Sequence, residues 1–191
     1  MRELTYYIGV TLDGFIAGPA DEVDFYPVTE GFAEMLGSEL SDIQPAFVRA
    51  GRGGADEPLT RFDTVVMGRR TYEPALAQGV VDPYSQLRTI VMSTTLDDPG
   101  HDNVEIVRTD PVARVRELKA EDGLGIYLAG GGGLAGVLLD EIDRLIVKKY
   151  PVIAGSGIPM VDHGFRPTSF ALDRVRTFDN GCAVLEYTRT R

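Results

Sequence analysis

Short apolar runs alternate with amphipathic segments along this chain. Runs rich in β-branched and aromatic residues occur at 4–10, 64–67, 87–92 and 104–107, a composition that favours β-strands. A longer run at 143–154 predicts a further strand. The chain therefore carries enough strand segments, spaced by other elements, for a single sheet.

Helical spacing of apolar residues marks the segments between the strands. Residues 30–40 are predicted to form the first helix, and residues 72–78 a shorter one. Asp110 and Pro111 are suited to the cap and first position of another helix, which stops at Asp122-Gly123. The apolar positions of the first helix are Phe32, Met35, Leu36 and Leu40.

Two segments depart from this alternation. Residues 170–178 and 182–187 flank Asp179-Asn180-Gly181, a pattern typical of an antiparallel hairpin. Residues 41–58 lack clear periodicity and contain several glycines, so they are predicted to form an irregular surface excursion, either a flap or an oligomer contact. Strands alternating with helices before a closing hairpin predict an α/β sandwich around a mostly parallel sheet with an antiparallel edge.

Composition narrows the class of protein. The chain has 191 residues, 43% of them hydrophobic, which fits one globular domain over 1–191. A formal net charge of −10 opposes binding to nucleic acid or to a membrane surface, because both attract clustered Lys and Arg. No apolar run is long enough for a membrane span, and the first residues do not resemble a signal peptide, so a cytoplasmic location is expected. One cysteine and two histidines without ligand spacing predict no metal site and no internal disulfide, and Cys182 is interpreted as a buried side chain.

Four consecutive glycines, Gly130 to Gly133, join a short apolar run to an apolar helical segment. Glycines without Cβ atoms let the backbone approach a ligand, and the start of the following helix offers free N–H groups to a phosphate. The alternative is a tight turn whose glycines only allow a strand and a helix to pack closely.

Arginines follow another predicted strand directly. Gly68 ends the strand, and Arg69, Arg70 and Thr71 directly precede the short helix predicted over 72–78. Guanidinium groups match phosphate oxygens, while Thr71 is suited to capping the helix. The alternative is an exposed arginine pair without a ligand.

The ends of several predicted strands carry small, hydroxyl or cationic residues: Thr11, Gly68, Ser93 with Thr94, and Gly130. Ligands of open α/β sheets bind beyond the carboxyl ends of the strands, so this coincidence favours a nucleotide. Neither the G-x-G-x-x-G fingerprint nor a P-loop is present at the expected place.

Asp13 precedes Gly14 in the turn after the first strand. It is a candidate catalytic residue, since its carboxylate could bind a substrate or orient a water for proton delivery. The alternative, which the Asp-Gly pair favours, is a carboxylate that bonds backbone N–H groups of the turn.

Five motifs follow one another along nearly the whole chain: Thr11-Leu12-Asp13-Gly14-Phe15-Ile16-Ala17, Val66-Met67-Gly68-Arg69-Arg70-Thr71-Tyr72, Ile90-Val91-Met92-Ser93-Thr94, Leu128-Ala129-Gly130-Gly131-Gly132 and Pro151-Val152-Ile153-Ala154-Gly155-Ser156-Gly157. Together they resemble the dihydrofolate reductase superfamily, and more closely the stand-alone relatives of the reductase domain of the riboflavin-biosynthesis deaminase-reductase. The resemblance implies a dihydrofolate-reductase-like three-layer α/β/α sandwich with a mostly parallel mixed sheet and an antiparallel C-terminal hairpin.

The resemblance implies NADPH as cofactor and assigns residues to its parts. Arg69, Arg70 and Thr71 correspond to contacts with the 2′-phosphate and pyrophosphate, and Ser93 and Thr94 to the adenine side. The glycine loop corresponds to the family's cis Gly-Gly bond beside the pyrophosphate. Its cofactor-binding positions, with the end of the preceding motif strand, are Gly68, Ala129, Gly130, Gly131, Gly132 and Leu134, and those of the nicotinamide pocket are Val10, Thr11 and Ala17.

The substrate side departs from both family patterns. The chain has no Trp to form the Pro-Trp pair of folate-reducing members, and Arg69-Arg70-Thr71-Tyr72-Glu73-Pro74 replaces the Asp-Asp-Pro-x-Leu segment of aminouracil reductases. The expected reaction is hydride transfer to a small heterocyclic substrate, with water or Asp13 supplying the proton. The alternative is a nucleotide-binding or ligand-sensing protein that has lost catalysis. The relatives imply a homodimer, with the hairpin or residues 41–58 at the interface.

Overall fold

The computed structural model describes residues 1–28 and 30–190. Its centre is an eight-stranded sheet in the order β5-β4-β3-β6-β1-β7-β10-β9, and β2 and β8 form a separate pair. The first six strands in this order, β5 through to β7, are parallel to one another. Strand β10 is antiparallel to β7, and β9 is antiparallel to β10. The strands are β1 Leu4–Val10, β2 Phe15–Ala17, β3 Phe62–Gly68, β4 Arg88–Met92, β5 Val104–Val107, β6 Gly125–Gly130, β7 Arg144–Lys149, β8 Ile158–Pro159, β9 Phe170–Thr177 and β10 Ala183–Arg189.

Helices cover both faces of the sheet. Phe32 and Met35 bring α1 onto one face, while Val115 and Leu118 bring α4 onto the other. Because the parallel strands are covered on both faces, they consist largely of buried apolar residues. The helices are α1 Glu30–Glu39, α2 Ala46–Gly51, α3 Arg69–Leu76, α4 Pro111–Ala120 and α5 Gly132–Val137, with 3-10 turns at Ser41–Ile43 and Leu139–Glu141.

The structure confirms the three-layer fold and several local predictions. The hairpin of β9 and β10 closes one edge of the sheet. Asp110 caps α4 by accepting a hydrogen bond from the N–H of Ala113 at 2.9 Å. Cys182 is buried, with 2% of its surface exposed.

Residues 41–58 are more ordered than the sequence predicted. They form a 3-10 turn and α2, and two charged side chains hold them from inside. The carboxylate of Asp42 accepts hydrogen bonds from the N–H groups of Thr60, Arg61 and Phe62, and Arg49 donates to the carbonyls of Gly54 and Glu57. A segment held by buried polar groups lacks the apolar periodicity on which the prediction relied. Its role as a flap or interface remains a prediction.

Strand β7 is shorter than predicted and ends at Lys149 rather than at residue 154. Pro151 has no N–H to continue the pairing, and the N–H of Val152 bonds the carbonyl of Tyr150 at 2.9 Å, which turns the chain. The turn places residues 152–155 beside the loop after β1. In the described ranges, no helix is long and apolar enough to cross a membrane.

Candidate functional site

A cleft of about 670 Å³ lies beyond the carboxyl ends of the central strands. A second pocket of about 450 Å³ adjoins it, and Arg69 and Met92 line both. The two together extend from the ends of β4 and β5 to β2, so a ligand that fills both crosses the ends of β3 and β6. This is where the parallel topology places a ligand site.

Most of the residues proposed from the sequence line these two spaces. Ser93 and Thr94 line the smaller pocket. Val10 and Thr11 do not line either space: both are buried, and the Thr11 hydroxyl donates to Asp13 and accepts from the N–H of Phe15. Their contact with a cofactor therefore stays a prediction. The predicted residues that line the larger cleft are Ala17, Gly68, Arg69, Arg70, Thr71, Ala129, Gly131, Gly132 and Leu134.

The glycine run divides into two groups. A Cβ on Gly132 would lie 2.0 Å from the carbonyl oxygen of Pro159, and one on Gly136 would lie 1.9 Å from that of Asp162. These two glycines let α5 pack directly on backbone. A Cβ on Gly133 would meet nothing within 4 Å, so this glycine faces open space in the cleft. Close packing of strand and helix therefore accounts for Gly132 and Gly136, whereas approach of the backbone to a ligand stays a prediction for Gly133.

Gly130 ends β6 with a φ of 112°, a value that L side chains rarely adopt. The peptide bond from Gly130 to Gly131 is cis, as the resemblance implied. Gly130 itself is buried beneath the cleft and does not line it. Gly131, the next residue, does line the cleft, and contact of Gly130 with a cofactor stays a prediction.

Helix α3 begins at Arg69, three residues earlier than predicted. Gly68 is the N-cap and offers no side-chain hydrogen bond, so Thr71 lies in the first turn and the prediction that it caps the helix is wrong. The first N–H groups of a helix have no partner within the helix. Without a capping side chain, they remain available toward the cleft that Arg69, Arg70 and Thr71 line.

Three arginines line the combined site. Arg69 has one ion pair, at 3.6 Å to Glu73, and Arg70 pairs with Asp21. Arg108 lines the smaller pocket and has no ion pair or side-chain hydrogen bond within residues 1–28 and 30–190. The sequence reasoning missed Arg108, although it follows β5 directly, as Arg69 follows β3, and the same rule about strand ends would have found it.

Asp13 lies in the loop after β1, where its carboxylate is held by three donors. It accepts from the Thr11 hydroxyl at 2.6 Å and from the N–H groups of Ala154 and Gly155 at 3.1 and 2.7 Å. These hydrogen bonds, the one from Thr11 foremost, lower the pKa of Asp13 to about 2. The group is ionised at neutral pH, so the geometry supports a role in joining two loops and weighs against proton donation.

Lys148 has a pKa shifted toward neutrality. It lies opposite Gly9 in the pairing of β7 with β1, and its Nζ is 4.3 Å from the centre of the Tyr7 ring. Burial lowers its pKa to about 8. Lys148 is half-buried and lines neither of the two spaces, so its lowered pKa alone does not place it among the site residues.

The strand order and the cleft define the fold of this protein as a dihydrofolate-reductase-like α/β sandwich. The chain belongs to the RibD C-terminal domain family, which matches residues 2–184. It is 30% identical over 191 residues to the uncharacterized protein YwjB of Bacillus subtilis (strain 168), covering 98% of each chain.

Solved structures share the fold at low sequence identity. A diaminohydroxyphosphoribosylaminopyrimidine deaminase/5-amino-6-(5-phosphoribosylamino)uracil reductase from Thermotoga maritima is similar with a TM-score of 0.67 and 16% identity, over 99% of this chain and 57% of that one. Dihydrofolate reductase from Enterococcus faecalis, complexed with NADP(H) and RAB-propyl, has a TM-score of 0.65 and 14% identity, over 99% and 97% of the two chains. At these identities, the likeness concerns the fold alone.

Proposed function

We propose that this protein is an NADPH-dependent reductase that transfers hydride to a small heterocyclic substrate, of the aminouracil reductase or dihydrofolate reductase-like type. Membership of the RibD C-terminal domain family supports the reductase class. The position of Arg69 carries the proposal, because this arginine lines both the larger cleft and the smaller pocket. A cation at that junction fits a dinucleotide, because the phosphates of a dinucleotide lie between its adenosine and nicotinamide halves.

The smaller pocket supports NADPH over NADH. Arg69 and Arg108 both line it, together with the hydroxyl residues Ser93 and Thr94. In an acidic protein, two arginines in one small pocket fit a doubly charged phosphate, to which charge-assisted hydrogen bonds are strong. We assign this pocket to the adenosine 2′-phosphate that NADH lacks.

The larger cleft fits the rest of the cofactor. Gly131 and Gly133 line it with bare backbone, and Ile16 and Ala17 add apolar surface, Ile16 next to Gly131. Arg70 and the free N–H groups at the start of α3 fit the pyrophosphate. NADPH, when bound, supplies the hydride, and the apolar residues around Ile16 keep water from the reacting carbon.

Cofactor choice tests this proposal. NADPH should bind roughly tenfold to a hundredfold more tightly than NADH, since hydrogen bonds between charged groups contribute about 1.5–3 kcal/mol. Arg69→Ala and Arg108→Ala should each remove most of that preference. The chain has no Trp, so NADPH fluorescence can be titrated without tryptophan interference.

Arg174→Ala is the matched control, because Arg174 is an exposed arginine on β9, away from the cleft. It should leave the preference unchanged. Equal affinity of the wild-type protein for both nucleotides would contradict the assignment of the smaller pocket. Oxidation of bound NADPH by a panel of pterins, flavins and aminouracils then separates a reductase from the alternative, a nucleotide-binding protein without turnover.

A further inference from the structure

An ion pair joins two walls of the larger cleft. Nη2 of Arg70, at the start of α3, lies 2.7 Å from both carboxylate oxygens of Asp21. Asp21 belongs to the loop at 18–25, which follows β2, and both residues line the cleft. The pair therefore joins the loop after β2, a strand outside the main sheet, to the helix that follows β3.

The loop at 18–25 does not depend on this ion pair for its shape. Within it, the N–H of Gly18 bonds the carbonyl of Glu22 at 2.8 Å, and the N–H of Ala20 bonds the Glu22 carboxylate at 2.8 Å. The N–H of Asp21 bonds the carbonyl of Gly18 at 3.2 Å. The Asp21 side chain is thus free to change its partner while the turn remains formed.

The ion pair is also weak enough to exchange. The side chains of Arg70 and Asp21 are 59% and 55% exposed, and pairs with this exposure contribute little because water screens them. A phosphate oxygen makes a stronger, charge-assisted bond to a guanidinium group. An anion in the cleft would compete with Asp21 for the same Arg70 donors, and the Asp21 carboxylate would repel it.

We propose that Asp21 is an exchangeable counter-ion: before a ligand binds, it pairs with Arg70 and joins the loop at 18–25 to α3, and on binding it gives up Arg70 to a phosphate of the dinucleotide. This proposal rests on the proposed function, since it requires a phosphate ligand in the cleft. Asp21 therefore lowers the affinity for the cofactor, and the exchange couples binding to release of the loop from α3.

The test compares Asp21→Asn with Asp24→Asn. Asp21 has a φ of 66°, which asparagine tolerates better than alanine, so the loop should keep its shape. Asp24 is an exposed residue of the same loop without an ion pair in the described part of the chain, and its substitution removes the same charge. NADPH should bind Asp21→Asn about fivefold more tightly than it binds Asp24→Asn.

Two further readouts separate exchange from a structural effect. In Asp21→Asn the affinity should fall more steeply with salt than in the wild-type protein, because binding no longer replaces one ion pair by another. In an Arg70→Met background, the difference between Asp21→Asn and Asp24→Asn should be smaller than in the wild-type background, since only direct repulsion by the Asp21 carboxylate remains. Hydrogen exchange of the loop at 18–25 should be faster in free Asp21→Asn than in the free wild-type protein.

The outcomes distinguish this inference from the proposed function. Failure of the folded wild-type protein to bind NADPH would overturn both. NADPH binding with equal affinities of Asp21→Asn and Asp24→Asn would overturn the exchange alone. Weaker binding by Asp21→Asn would also overturn it, because Asp21 would then position Arg70 for the ligand.

Discussion

Arginines at the two ends of the parallel sheet have different surroundings. At the amino ends of the strands, Arg2 is buried, with 5% of its side chain exposed. It donates to the carboxylate of Asp63, to the Thr64 hydroxyl at 2.8 Å and to the carbonyl of Leu124 at 2.5 Å. Its guanidinium group is therefore bound by acceptors of the protein itself.

The edge of the sheet at the same end repeats this arrangement. Arg114 binds Glu105 through two hydrogen bonds, at 2.7 and 3.0 Å, and Arg88 binds the same carboxylate at 2.9 Å. These bonds, the one from Arg114 foremost, lower the pKa of Glu105. Each arginine here has several acceptors, so the cluster connects β4, β5 and α4.

At the carboxyl ends, the arginines have fewer partners. Arg69 is 47% exposed in its side chain and has a single carboxylate at 3.6 Å, while Arg70 has one exposed partner, Asp21. A guanidinium group that is saturated by internal acceptors stabilises the fold, and one that is not remains available to a ligand. The number of acceptors around each arginine, rather than the residue type, separates the two roles.

The largest effect expected from this comparison is on stability. Arg2→Met should lower the free energy of unfolding by about 3 kcal/mol, because it leaves the partly buried Asp63 carboxylate without its ion pair. Arg69→Met should change it by less than about 0.5 kcal/mol, as expected for an exposed site. Urea denaturation measures both. Similar losses of unfolding free energy in the two variants would contradict the distinction between arginines at the amino ends and at the carboxyl ends of the strands.

A second contrast lies within the carboxyl end itself. Gly136→Ala should lower stability by about 2 kcal/mol, because its Cβ would lie 1.9 Å from the carbonyl oxygen of Asp162 and the backbone would have to move. Gly133→Ala should leave stability within about 1 kcal/mol, since alanine favours a helix and meets no neighbour.

The affinity for NADPH should also differ from wild type in Gly133→Ala. Gly133→Ala should weaken NADPH binding, because its methyl group would project into the cleft while the fold stays intact. Thermal unfolding and NADPH fluorescence together measure the two properties. A Gly133→Ala protein that binds normally would show that this glycine does not face the ligand.

The fold was predictable because strand and helix periodicities differ along most of the chain. The second halves of β3 and β4 carry the apolar runs 65–67 and 90–92, and residues at the ends of these strands line the cleft. The prediction failed where polar groups are buried: Asp42 and Arg49 order residues 41–58 through bonds to backbone, which no apolar pattern reveals.

The site was predictable only in part. Their position directly after predicted strands indicated that Arg69 and the glycine loop belong to the site. It did not indicate that Asp21 meets Arg70, because the two residues are 49 positions apart and meet only when the sheet is assembled. Nor did it separate Gly133 from Gly136, whose roles depend on the backbone at Asp162.

The smallest expected effect concerns Asp13 at the carboxyl end of β1. Its pKa in the folded protein, about 2, is lower than the ordinary value near 4, so its hydrogen bonds stabilise the fold fully above pH 4. That contribution is lost as the pH falls from 4 to 2, when the carboxylate is protonated. Asp13→Asn lacks this titration. The difference in melting temperature between wild type and Asp13→Asn should therefore be constant above pH 5 and shrink toward pH 2.5.

Hydrogen exchange gives the local counterpart of this prediction. The N–H groups of Ala154 and Gly155 donate to Asp13, so they should exchange faster in Asp13→Asn at neutral pH, with little change elsewhere. Asp24→Asn, at an exposed aspartate in the loop at 18–25, is the control and should not affect them. A difference in melting temperature that persists unchanged to pH 2.5 would mean that Asp13 acts through its shape rather than its charge. Asp13 would then differ from the arginines at the other end of the sheet, whose contribution depends on charge.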